Sequence, residues 1–585
     1  MRLLTKIVSA VAGLICICWM SPAESLAQNA PKTPIHHLIV IVGENRSFDH
    51  LFATYQPING QHVANLLSEG IVDADGAPGP NVSKVRQWQA IDRDSYSIAA
   101  TRTSPFEVLA QPNTTYAFGR KPNQPDSRFP ADLPNAPFQI SKYTAYENSF
   151  TGDPVHRFFQ MWQQFDQGRM DLFPWVAITA GMGSEGKPPR VPFTNQSSGQ
   201  GSVAMGFYNM SQGDAPVFKF IADHYALSDN FHQGVMGGTG ASFIYLGTGD
   251  FAFYSDGNGN PVTPPTALIE DPNPWPGSNN WYKRDGYASG SYVNCADKSQ
   301  PGVAPILAWL QARHLQARCD PGHYYLVNNY GPAYNSDGTP VDVKRHPYTL
   351  PAQTLPNIAE ALSAAGVSWK YYIGGLKRPG AIDAWCSICN PMQFDRRVMT
   401  GPLHANITDV PDFYRDIDLG KLPAVSFVRP YEPYSGHPGN STVSAYEYFV
   451  LSIVNYVIAR PKLFADSAIM VTFDEGGGYY DSGYIQTLDF FGDGTRIPLL
   501  VISPYVIPGS VDHTYSDHAS ILKFIEANWG LRPLSPRSRD NLPNPIPSSR
   551  SPYIPSNGPA LGDLMGIFDF ARRQPGPPLI IPGGI

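Results

Sequence analysis

Four oxygen-bearing side chains occur in two adjacent pairs, Glu44-Asn45 and Asp474-Glu475. Each pair directly follows an apolar, β-branched run: His37-Leu38-Ile39-Val40-Ile41-Val42 before the first, Ala468-Ile469-Met470-Val471-Thr472-Phe473 before the second. Oxygen donors suit a hard divalent cation, so these four are read as metal ligands, with calcium, magnesium, manganese and iron all admissible. Acids beside turn glycines also occur in plain loops. Their placement straight after buried-type strands is what favours a metal.

A second constellation is Gly237-Gly238-Thr239-Gly240-Ala241-Ser242. Small residues around Thr239 let a substrate approach the backbone closely. If Phe243 to Leu246 continue as a helix, its first-turn N–H groups face a phosphate. Beside a cation, the Thr239 hydroxyl is a competent nucleophile, because the ion stabilises the alkoxide. A plain tight turn accounts for the same glycines. Histidines can supply an acid and phosphate contacts: His156 in Asp153-Pro154-Val155-His156, His437 in Ser435-Gly436-His437-Pro438, and His513 and His518 on either side of Thr514 to Asp517. Singly, each reads more readily as a satisfied structural histidine than as a catalytic one. His518 lies one residue inside an expected helix start, where a phosphate-facing role is plausible.

These residues need a scaffold. The two apolar runs, with a third at Ile497 to Ile502, are continuous enough for strands buried on both faces. Val443 to Ala459 reads as a long helix stopped by Pro461. Asp517 to Trp529 reads as another, with Ser516 as N-cap and Gly530 past its end. Buried strands with covering helices predict an α/β fold, a mostly parallel sheet with helices on both faces, and ligands beyond the strand carboxyl ends. Residues 28–585 are expected to form a single catalytic domain. Within it, 251–430 reads as a loop-rich insertion or cap. Residues 531–585 read as a Pro-rich wrap docked by the apolar island Asp563 to Phe570.

The chain has 585 residues, 42% hydrophobic, with 53 Gly and 57 Pro and a formal net charge of −7. That is ample for a large core with long ordered loops, and the charge gives no reason to expect a nucleic-acid partner. Arg2 and Lys6 precede an apolar run from Ile7 to Met20, and Ser25-Leu26-Ala27 fits a cleavage site. Residues 1–27 are therefore expected to be a signal peptide and the chain to be exported, periplasmic or extracellular. No later segment reaches the roughly eighteen apolar residues of a membrane helix. Of the four cysteines beyond the signal, the local pairs Cys295–Cys319 and Cys386–Cys389 are the preferred disulfides, the second as a structural clip.

Taken together, Glu44-Asn45-Arg46-Ser47-Phe48-Asp49-His50, Asp153 to His156 with Gly168 to Asp171, Ser228-Asp229-Asn230 through Thr239, Phe473 to Gly478 with Tyr480-Asp481, and Asp517-His518 with Ile521 to Glu526 resemble the bacterial phosphoesterase family of secreted phospholipases C and acid phosphatases. The resemblance implies an alkaline-phosphatase-like sandwich and metal-assisted phosphoryl transfer through a covalent intermediate. It places Glu44, Asn45, Asp474 and Glu475 around the metal and Thr239 as nucleophile. It places His156 and His437, and less directly His518, at the phosphoryl group or the leaving group. It implies an acidic working pH. Phospholipase members commonly show Asp-Glu-His-Gly-Gly, whereas Gly476 stands at the histidine position here. The expected substrate is therefore a small phosphomonoester. A phospholipid diester is the alternative, and an exported binding protein without activity is a reading from another class.

Overall fold

The computed structural model describes residues 29–114, 125–179, 201–286, 290–377, 385–549 and 551–571. The expected signal segment lies outside them, as does the end of the C-terminal wrap.

The core is an eight-stranded sheet. Its strands are β1 (His37–Gly43), β2 (Ala226–Ser228), β3 (Trp369–Ile373), β4 (Ile407–Thr408), β5 (Val425–Arg429), β6 (Ser467–Phe473), β7 (Leu499–Ile502) and β8 (Ser510–Asp512), in the order β4-β3-β5-β1-β6-β7-β2-β8. Most neighbours run parallel; β7 alone is antiparallel to both of its partners. The α/β class and the mostly parallel sheet are as expected.

The middle of the sheet positions the site. β1 pairs in parallel with β6 from His37 opposite Ser467 to Gly43 opposite Phe473. That register delivers Glu44-Asn45 and Asp474-Glu475 side by side at the carboxyl ends of these strands. Both strands are apolar and almost wholly buried, as a strand covered on both faces must be. Helix α1 (Phe48–Phe52) follows β1, and α2 (Phe158–Phe165) follows the His156 loop. Helix α3 (Thr239–Thr248) starts at the threonine itself. Helix α4 (Val443–Ile458) is capped by Thr442, and α5 (His518–Trp529) ends at Gly530 in a left-handed conformation. From α4, the Tyr446 hydroxyl donates to Thr472 O at 2.8 Å and reaches Ile41 O at 3.3 Å, tying the ends of β1 and β6 together. A Cβ on Gly43 would lie 2.6 Å from that ring, so only glycine fits there.

Three expectations need correction. The N-cap of α5 is Asp517, whose carboxylate accepts from Ala519 N–H, while Ser516 is spent in a short parallel pairing with Phe231. The third apolar run reverses the chain direction in the sheet, which periodicity cannot encode. And 251–430 is not all insertion: β3, β4 and β5 come from it. These strands are short and interrupted by long turns, so they lack the uninterrupted apolar signal of β1 and β6.

The disulfides are Cys295–Cys319 and Cys386–Cys389. Within the C-terminal segment, Phe568 stacks on Phe524 of α5 with ring centroids 5.2 Å apart. Arg539 is buried in ion pairs with Asp489 and Asp493. Among the described residues no helix is long and apolar enough to cross a membrane.

Candidate active site

Beyond Gly43 the chain turns through Asn45, whose φ of 63° is left-handed, a conformation that asparagine tolerates better than most residues. Its N–H donates to Asp474 Oδ1 at 3.0 Å, and Glu475 N–H donates to the same oxygen at 2.8 Å. One carboxylate oxygen thus locks the two strand ends together. Gly477, with a φ of 62°, lies against this turn, where an added Cβ would be 2.6 Å from Asn45 O.

Thr239 comes to the same place from α3. Its Oγ1 donates to Glu475 Oε1 at 3.1 Å, and the residue is 5% exposed. The first-turn amides do not face an empty anion site, as the sequence suggested. Gly240 N–H is held by Asn329 Oδ1 at 2.7 Å and Ala241 N–H by Asn328 O at 3.1 Å. Gly238 has no side chain with which to cap the helix, so the 328–329 segment crosses over and supplies the acceptors.

His156 is fully buried. Its Nδ1 lies 2.6 Å from Pro154 O and 3.5 Å from Asp153 Oδ1; its Nε2 lies 3.5 Å from Asn45 Nδ2 and 3.9 Å from Glu475 Oε1. The His437 ring centroid is 6.4 Å away, and ligand atoms of Asp153, His156 and His437 all lie within 4.8 Å of one another. Burial pushes the His156 imidazolium below its ordinary range, and the neighbouring His437 adds to this. Burial also disfavours a charged His437, but Asp153, Glu44 and Glu432 outweigh it and raise that group. The pair is therefore split, with His437 the more basic. His518 stands apart from this pair. Its Nε2 is bonded to Phe473 O at 2.9 Å and its Nδ1 accepts from Gly234 N–H at 3.3 Å, so both ring nitrogens are engaged with the backbone behind the site. Burial takes it down to about 4.

The residues fit a hard cation by a direct test. Asn45 Oδ1, Asp474 Oδ2 and Glu475 Oε2 are all buried and have no hydrogen-bond partner. Buried polar atoms are almost always paired, so three unpartnered oxygens on adjoining strand ends form a donor set that fits a hard cation. Burial, then the charge of Glu44, pushes Asp474 well above the carboxylate range; burial, then Asp474, does the same to Glu475. Glu44 is held differently, by Arg429 Nη2 at 2.6 Å, with the disulfide sulfur of Cys389 2.8 Å from the same oxygen.

The family follows from the match: the Phosphoesterase family model covers residues 35–532, which include both strand ends, the threonine and the three histidines. The chain belongs to the Phosphoesterase family. Among its relatives, phospholipase C A of Mycobacterium tuberculosis is 23% identical over 609 residues, covering 97% of this chain and 84% of that protein. A non-hemolytic phospholipase C of Burkholderia pseudomallei is 27% identical over 309 residues, 44% of this chain and 41% of its own length. An acid phosphatase of Aspergillus niger is 26% identical over 187 residues, 30% of this chain and 42% of its own. The chain is a phosphoester hydrolase.

Seven of the eight expected site residues of this phosphoesterase converge at the ends of β1 and β6, and the eighth, His518, packs behind them. Sequence reading missed four further participants. Arg46, inside the quoted signature, donates through Nε and Nη2 to Gly436 O at 2.8 and 2.6 Å, anchoring the His437 loop. Arg429 holds Glu44, Asn329 holds the start of α3, and Gln233 Oε1 accepts from Gly476 N–H at 2.8 Å. Arg46 and Gln233 lie inside quoted stretches of the sequence, Gln233 in the one that runs to Thr239. Arg429 and Asn329 reach the site from distant segments.

Proposed function

We propose that this phosphoesterase is an exported, metal-dependent phosphomonoesterase of the acid phosphatase type, working through a phosphothreonine on Thr239. The observation that carries the reading is the Thr239 hydroxyl hydrogen-bonded to Glu475 beside three buried oxygens without partners. Asn45, Asp474 and Glu475, with Glu44 next to them, would hold a divalent cation, which supplies Lewis-acid and template chemistry when bound. Glu475 Oε1 orients the threonine hydroxyl. As Thr239 Oγ1 attacks phosphorus in line its proton passes to Glu475 Oε1, and the phosphorus–oxygen bond to the alcohol breaks. His437, the more exposed of the histidine pair, donates the proton that the departing alkoxide takes. His156, fixed through Nδ1 by Pro154 O, presents Nε2 toward the reacting phosphoryl group. Asn329 Oδ1 is tied to Gly240, which leaves its Nδ2 as a further donor to phosphate beside Thr239. Water then hydrolyses the phosphothreonine, returning the hydroxyl. Positioning and charge neutralisation do most of the catalysis.

The phospholipase C reading rests on the relatives so named, one covering 97% of the chain. Gly476 favours the phosphomonoesterase. A Cβ there would lie 2.0 Å from Thr495 Oγ1, so the histidine of Asp-Glu-His-Gly-Gly would have to displace the Thr495 side chain. The deciding experiment compares phosphate release from a soluble aryl phosphomonoester with phosphocholine release from micellar phosphatidylcholine, using metal-loaded enzyme. Turnover of the monoester with background on the lipid is the expected result. The reverse replaces this reading with phospholipase C. Background on both supports a binding protein without activity.

A further inference from the structure

A cleft of about 520 Å³ is lined by none of the site residues named above, and the chemistry described does not use it. Tyr334, Tyr348 and Trp385 give it an aromatic wall, and Tyr348 is 41% exposed. Two segments tie the cleft to the reacting centre. Gly331, at its edge, is two residues from Asn329, a stretch of chain spanning at most about 7 Å. Trp385 and Ser387 flank Cys386, whose disulfide partner Cys389 touches Glu44.

The wall contains one buried donor and one buried acceptor without partners, Trp385 Nε1 and Gln393 Oε1. Gln393 is 1% exposed, and its Nε2 donates to Tyr334 O at 3.0 Å. That bond fixes the carboxamide and leaves Oε1 over. Both atoms are closed to solvent, and a small rotation of either side chain would turn it toward a ligand with the matching acceptor and donor. Stacking surface, one donor and one acceptor together are what recognises the edge and face of a heteroaromatic base. Among the described residues no carboxylate lines the cleft, and the positive charge of Arg345 in its wall disfavours a quaternary ammonium group.

We propose that this cleft binds the base of a nucleoside monophosphate whose phosphate reaches Thr239. The inference rests on the phosphomonoesterase reading for the reaction, but not for the binding. The test compares adenosine monophosphate with glycerol phosphate in wild type, Trp385→Phe and Tyr348→Ala. In wild type KM is expected to be roughly tenfold lower for the nucleotide, the worth of one well-placed buried contact pair. Both variants raise the nucleotide KM by about the same factor, leaving kcat and both glycerol phosphate constants unchanged. Equal KM values for the two compounds in wild type, or equal effects of the variants on both, overturn the proposal. A second measurement is independent of turnover: calorimetric binding of adenosine monophosphate and glycerol phosphate to Thr239→Ala. Tighter nucleotide binding that Trp385→Phe abolishes sustains the cleft assignment even if the enzyme turns over only lipid. Equal binding of the two removes it.

Discussion

Thr239 Oγ1 and Glu475 Oε1 are 236 residues apart in the chain and 3.1 Å apart in the fold. Nothing local brings them together. One stands at the first residue of α3, the other just past the end of β6, and those two elements meet at the carboxyl end of the central strands.

That hydrogen bond makes Thr239 the first residue to change. Thr239→Ala is expected to lower kcat/KM by at least ~10³-fold with an unaltered circular dichroism spectrum. Thr239→Ser, which keeps an attacking oxygen, retains measurable turnover. An alanine variant as active as wild type would remove the covalent mechanism.

The orphaned oxygens give a second expectation. Wild-type protein carries a divalent ion through gel filtration, whereas Asp474→Asn and Asn45→Ala lose it, as read by elemental analysis. Chelation abolishes activity and lowers the melting temperature, because a ligand bound only to the native state stabilises it by mass action. Metal content equal in all three proteins contradicts the assignment.

Stability has a pH signature away from the site. Burial raises Glu447 from its ordinary 4.5 to about 8, while it accepts from Phe218 N–H at 2.8 Å and the Tyr146 hydroxyl at 2.9 Å. A raised carboxyl holds its proton in the fold but loses it in the unfolded chain. Its contribution is fully present below 4.5 and is lost as pH rises toward 8. Glu447→Gln removes the charge while its Oε1 still accepts from Phe218 N–H and its Nε2 donates to the Tyr146 oxygen in place of accepting from it. It should therefore melt higher than wild type at pH 8 to 9 and like wild type near pH 4.5. Parallel melting curves at both pH values would show that Glu447 keeps its charge in the fold.

Gly476 offers a packing test. Gly476→His is expected to destabilise by roughly 1–3 kcal/mol in urea titrations, the usual range for an overpacked site. Adding Thr495→Ala removes the atom in the way and recovers part of the loss. A single variant as stable as wild type would mean that the histidine was not excluded by space.

Much of this was legible from sequence because β1 and β6 are uninterrupted apolar runs ending in adjacent polar pairs, a pattern with few alternatives. Register was not legible, yet it is what sets Glu44 beside Asp474. The two-residue β4 and the mixed Trp369-Lys370-Tyr371-Tyr372 of β3 were lost among turns. Arg429 and Asn329 escaped notice for a different reason. Each acts by reaching across the fold to a single partner, and one arginine or one asparagine in a loop has no periodicity to read. His518 had the right setting, a helix start near the site, but its two ring nitrogens serve the backbone.

The pairing of β1 with β6 in the middle of the sheet constrains how a cation could ever come and go. Parting those strand ends would mean splitting the sheet at its centre, which is global unfolding rather than a breathing motion. Exchange of a bound cation would therefore leave the scaffold shut, and the demetallated chain should keep its shape and take the ion back without refolding.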